Sequence, residues 1–133
     1  MKKILVAYDG TDPADNALAT TVELAKAFDA MVGVVSVVPI RAGRAPMDPW
    51  DDRPIHADQL RHAKEILAEA GIEAQLHEPF GDPSRAIERT AAEGGYDTIV
   101  IGSRGLGALG RMLQGSVSEH VATHAAATVI VSR

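Results

Sequence analysis

Five glycines fall within the first fourteen residues of the stretch GSRGLGALGRMLQGSVSEHV at 102–121, and glycine-rich loops of this kind cradle phosphates. Residues 105–110, GLGALG, match the dinucleotide fingerprint G-x-G-x-x-G. That fingerprint joins a first strand to its helix and is followed, about 20 residues later, by an acid on the next strand. Here it follows the apolar run at 98–101, late in the chain, and the matching distance falls near Ile130, inside another apolar run. Gly110-x4-Gly115-Ser116 approaches a Walker A loop but lacks the lysine that reaches the β- and γ-phosphates, and no apolar strand with a terminal magnesium-binding aspartate follows. A third spacing passes both tests: Gly102, Gly105 and Gly115-Ser116, separated by two and by nine residues. Arg104 and Arg111 lie in that interval, and no acid appears before Glu119. In a chain of net charge −5 this local positive excess favours an anion. Gly115 and Ser116 stand at the start of a predicted helix over about 116–124, whose free N–H groups and positive dipole end suit a phosphate.

Simpler readings exist for several of these residues. Ser116-Val117-Ser118-Glu119 is a capping box, so the Ser116 hydroxyl has a competing use while the backbone amides do not. Gly102, Gly105 and Gly107 would also serve a tight turn. Asp9 ends the first apolar run, where it either meets a ligand or caps a turn with Thr11, and Asp12 reads as a helix cap. His120 and His124 share a helix face as zinc ligands do, but no HExxH glutamate lies between them and no third ligand is evident. They read as a solvated or interface face, and no metal site is assigned. His56, His62 and His77 are scattered, no Ser-His-Asp set with a nucleophile elbow occurs, and no catalytic residue is assigned.

The elements that must position these residues alternate strictly. Ile4–Tyr8 is a continuous apolar run, as in a strand buried on both faces. A helix opens with Asp12 as N-cap and Pro13 at the first helical position, and Ala14, Ala17, Leu18, Thr21, Leu24, Ala25 and Phe28 form its core face. Val32–Val38 is a second strand, ended by Pro39. A helix over about 56–70 carries Leu60, Ala63, Ile66, Leu67 and Ala70, Gly71 ends it, and Ile72–His77 alternates as a peripheral strand does. Asp82-Pro83 starts a helix with Ala86, Ile87, Thr90 and Ala91 inward, closed by Gly94-Gly95. Strands at 97–102 and 128–132 complete a β-α-β-α-β-α-β-α-β order, which implies a parallel sheet covered by helices on both faces. The stretch 39–54, with four prolines, fits no element and reads as a long irregular loop.

Composition narrows the class. A chain of 133 residues is one domain, 1–133, able to bury a core, which must be built from Val, Ile, Leu and Ala because aromatics are only 4%. The acidic balance argues against nucleic-acid binding. The absence of cysteine excludes disulfides, thiolate chemistry and Cys-ligated metals. The opening apolar run stops at Asp9, too short for a signal peptide's apolar region or a membrane span, so a cytoplasmic protein without membrane association is expected.

The spacing G-x2-G-x9-G-[S/T] resembles the nucleotide-binding motif of the universal stress protein family. The likeness extends over nearly the whole chain: KKILVAYDGT resembles the family's opening strand and aspartate, GDPSRAI the motif before its third helix, and YDTIVIGSRG its fourth strand and loop. The resemblance implies an open five-stranded parallel sheet of order 3-2-1-4-5, a Rossmann-like α/β fold akin to the adenine nucleotide alpha hydrolases, that binds ATP with or without magnesium. By similarity Asp9 and the backbone near Ala7 contact ribose and adenine, and the Val37 backbone also meets adenine. Gly102, Arg104 and Gly105 line the phosphates, with Gly115, Ser116 and Val117 closing over them. The final strand, Thr128–Ser132, becomes an apolar edge without proline or bulge, which invites twofold pairing with a second copy, the dimerisation mode the family suggests. The expected function is therefore that of an ATP-binding, homodimeric stress-response regulator with little or no intrinsic catalysis. The alternatives are an interaction module of the same fold that binds no nucleotide, and a slow ATPase.

Overall fold

The computed structural model describes residues 1–38, 53–103, 117 and 119–132. Five strands form one sheet: β1 (Lys3–Ala7), β2 (Met31–Val35), β3 (Ala74–His77), β4 (Thr98–Gly102) and β5 (Thr128–Ser132). Their order is β3-β2-β1-β4-β5 and every pairing is parallel, as the alternation and the family resemblance imply. Helices α1 (Asp12–Phe28), α2 (Arg53–Glu69) and α3 (Pro83–Gly94) fill the crossovers, and residues 119–124 are helical before β5.

The sheet is covered on both faces because alternate residues of its central strands are apolar in both directions. Ile4, Val6, Val32, Val34 and Val100 pack against Ala14, Ala17 and Leu18 of α1 and Leu60, Ala63 and Leu67 of α2. Leu5, Val35, Ile99 and Ile101 face the other way, against Ile87 and Ala91 of α3 and Val121 of the last helix. Burying each of these Val, Leu and Ile side chains contributes about 1.5–3 kcal/mol. With so few aromatics the fit must be close, and Tyr96 shows how. Its ring lies over β2 where Gly33 has no side chain, and a Cβ there would collide with the hydroxyl. The hydroxyl meets Nε2 of His77 at 2.7 Å, and Lys3 Nζ stands 4.6 Å from the ring centroid.

Several boundaries differ from expectation, each for a local reason. The N-cap of α1 is Thr11 rather than Asp12: Thr11 is extended (φ −82, ψ 165) and its hydroxyl accepts from the Ala14 amide. Asp12 and Pro13 occupy the first turn, where proline's missing N–H costs nothing. Phe28, expected inward, is 55% exposed, because α1 ends there and Asp29 turns left-handed (φ 52) to close it. β2 stops at Val35 rather than Val38, since the Tyr8 amide donating to the Val35 carbonyl is the last bond before β1 ends. The chain runs on to a bridge between Val38 and Phe80. Helix α2 starts at Arg53, inside the stretch expected to be loop, with Pro54 in its first turn. Asp82 caps α3 through the Arg85 amide and Gly95 closes it at φ 71, both as expected.

Candidate functional site

Open parallel sheets bind ligands beyond the carboxyl ends of their strands, where the strand order reverses. Here β1 and β4 are neighbours, so their carboxyl ends, at Ala7 and Gly102, lie side by side. Ala7 and Asp9 are half-buried at the end of β1. The Asp9 carboxylate accepts from both the Thr11 amide (3.1 Å) and the Thr11 hydroxyl (2.5 Å), so the turn reading of Asp9 is realised. Its carbonyl accepts from Gln59 Nε2 at 2.9 Å, which ties the loop to α2.

Gly102 ends β4 against the first turn of α1. A Cβ there would stand 2.8 Å from the Pro13 backbone, so close strand–helix packing alone requires glycine. Beyond it, the Ser103 amide donates to the Ser132 carbonyl and extends the β4–β5 pairing.

Val37 follows β2 along the same rim. The Val35 carbonyl accepts from Tyr8, while the amides of Ser36 and Val38 donate the opposite way, to the carbonyls of His77 and Pro79. Backbone groups alternate sides in an extended chain, so Val37 turns its N–H and C=O toward the β1 side, past the point where β1 has ended. That leaves a polar backbone edge over the crevice, with Asp9 and Gly102 opposite.

Of the remaining site candidates, Val117 is helical and half-buried, and it packs on the cluster that contains Leu5, Ile99 and Ile101. Arg104, Gly105, Gly115 and Ser116 lie outside the described residues, as do Arg111, the GLGALG stretch and residues 39–52 with Trp50.

Several rim residues carried no recognisable signal in the sequence. Ser36, 1% exposed, has its hydroxyl 2.7 Å from His56 Nδ1 and donates to Gln59 Oε1 at 3.4 Å. His56 and Gln59 stand one helical turn apart on α2, and that spacing is the sole trace the sequence holds of their shared face. The Ser36 hydroxyl is sealed from solvent, so the pair supports the rim rather than presenting a nucleophile. The Tyr8 hydroxyl donates to Asp15 at 2.6 Å, and burial, then the Asp15 hydrogen bond and nearby carboxylate charge, hold its pKa well above the usual phenol range. Tyr8 therefore stays neutral and anchors α1 to β1.

A cavity of about 290 Å³ lies at the other end of the sheet, lined by Glu88, Ala91, Tyr96, Ile99, Ala125 and Ala127. It sits at the amino ends of β4 and β5, away from the crevice. The structure also brings Glu88 of α3 beside the His120–His124 pair, a juxtaposition that the sequence did not reveal.

An open parallel sheet with helices on both faces, and a polar crevice at its switch point, defines the doubly wound α/β class. A sequence model described as the universal stress protein family matches residues 1–133. The chain is 33% identical to universal stress protein YxiE of Bacillus subtilis, over 98% of both chains. It belongs to the universal stress protein family. A universal stress protein from Archaeoglobus fulgidus, solved in complex with dAMP, superposes with a TM-score of 0.76 at 26% identity, covering 100% of this chain and 98% of that one. Another universal stress protein, solved in complex with cAMP, superposes at 0.78 with 25% identity, over 99% of this chain and 97% of that one.

Proposed function

We propose that this chain binds an adenine nucleotide, ATP foremost and with or without magnesium, at the crevice between the ends of β1, β2 and β4. The direction of the Val37 backbone carries this reading. An N–H and a C=O turned past the end of β1 offer a donor–acceptor edge matching adenine. Asp9 and the backbone at Ala7 would meet the ribose. Gly102, Arg104 and Gly105 would line the phosphates, with Gly115, Ser116 and Val117 closing over them. The two superposable relatives solved with dAMP and cAMP support an adenine nucleotide as the ligand class.

The same reading makes the chain one regulatory domain, 1–133, acting in the cytoplasm as a homodimer with little or no catalysis. β5 supports the dimer: among the described residues it pairs with β4 alone, and Val131 is 43% exposed. Pairing with a second copy would cover that edge. Among the described residues, no helix is long and apolar enough to cross a membrane.

A second reading, an interaction module that binds no nucleotide, draws on two observations. Thr11 already engages the Asp9 carboxylate, and Pro13 packing already explains Gly102. Calorimetric titration with ATP, with and without magnesium, separates the two. Saturable binding at or below millimolar ATP is expected, and its absence overturns the nucleotide reading. A magnesium-dependent turnover assay tests the slow ATPase, and measurable turnover lost in Asp9→Ala would establish it.

A further inference from the structure

We propose that Glu88, His120 and His124 form a binding site for a divalent transition metal ion, zinc foremost, on the α3 face of the molecule and independent of the nucleotide crevice. One ligating atom from each residue lies within 4.8 Å of the other two. Two donors on one tetrahedral zinc ion stand about 3.3–3.6 Å apart, since each bond is about 2.0–2.2 Å, so side-chain rotations that draw the three atoms together by about 1 Å complete the set. His120 Nδ1 is 3.1 Å from Glu88 Oε1, a hydrogen bond to an accepting carboxylate, so the ion would take the place of the proton between them. The two imidazoles stack with centroids 4.0 Å apart and planes 19° apart, which sets them side by side on one helix face.

The protonation pattern also suits a metal. His124 Nδ1 lies 3.0 Å from the His120 carbonyl, which can only accept, so that nitrogen carries the proton and Nε2 presents its lone pair. A ring N–H held by a backbone carbonyl is the supporting contact that metal-bound histidines commonly make. Access is open: His124 is exposed, and the His120 and Glu88 side chains are 38% and 21% exposed.

Two imidazoles and one carboxylate match the preference of zinc and its neighbours, whereas magnesium and calcium favour all-oxygen sets. Three protein ligands leave a fourth position for water. The ion would pin α3 to the helix that follows Gly115 and Ser116.

The test is calorimetric titration of the untagged full chain with zinc chloride in the absence of nucleotide. One zinc per chain is expected, with affinity falling at least about tenfold in His124→Ala and in Glu88→Gln. Cobalt(II) in place of zinc should give a visible d–d band that the same substitutions abolish. Circular dichroism confirms that each variant is folded, and His124, being exposed, tolerates truncation. No saturable binding by about 1 mM zinc, or equal affinity in His124→Ala, overturns the proposal. Because no nucleotide is present, either result leaves the crevice reading untouched.

Discussion

Replacing Asp9 separates its two possible uses if Thr11 is replaced in parallel. Asp9→Ala removes the carboxylate that accepts from the Thr11 amide at 3.1 Å and the Thr11 hydroxyl at 2.5 Å. A net hydrogen bond contributes about 1 kcal/mol, more when charged, and the exposed amide regains water, so the fold should lose about 1–2 kcal/mol. For a chain of this size that lowers Tm by about 3–5 °C per kcal/mol. Thr11→Ala keeps the backbone-amide bond to Asp9 but loses the hydroxyl bond and the N-cap contact to Ala14 at 3.4 Å, so its cost should be similar. The variants diverge on ligand. If the carboxylate also holds the ribose, its loss removes a charged hydrogen bond of about 1.5–3 kcal/mol, or roughly 10–100-fold in affinity. Thr11→Ala keeps that carboxylate and should bind ATP within about threefold of the parent. Thermal melts and ATP calorimetry on both variants decide the matter. Equal affinity losses in the two would reduce Asp9 to an anchor for its loop and refute the ribose contact.

Gly102→Val should destabilise by about 1–3 kcal/mol through overpacking against Pro13, whose backbone a Cβ approaches to 2.8 Å. An unchanged urea midpoint would show that α1 can withdraw freely. His77 has its pKa lowered, first by burial and then by the charge of Lys3. The unfolded chain takes up that proton near pH 6.5 and the folded chain only at lower pH, so stability is full above about 6.5 and declines as pH falls toward the lowered value. His77→Gln should flatten the slope of urea stability between about pH 7.5 and 5.5, and an identical slope would remove His77 from that account. Val131→Lys puts a charge on the open edge of β5, so sedimentation should show monomer where the parent shows dimer. A variant that stays dimeric would place the interface elsewhere.

Much of the architecture was legible because its signals are local. A continuous apolar run marks a strand buried on both faces, and Asp82-Pro83 marks a helix start through one side chain and one ring. The limits of β5 follow in the same way from its run of β-branched residues. Local signals misled where a neighbour intervened. Asp12 looked like the better cap, yet Thr11 won because Asp9 holds its hydroxyl. Val37 and Val38 look like strand, but pairing with β1 ends when β1 turns away at Tyr8, and only the bonds on the β3 side continue.

The amino-acid sequence alone thus determined the alternation of strands and helices, most of the core faces and, through spaced motifs, the family. Only the tertiary structure decided which polar residues meet. Gln59 reaches the Asp9 carbonyl across 50 positions, and Glu88 reaches His120 across 32. The physical reason is range: periodicity and capping act within a few turns of chain, whereas these meetings depend on strand order and helix placement, which only the whole sheet sets.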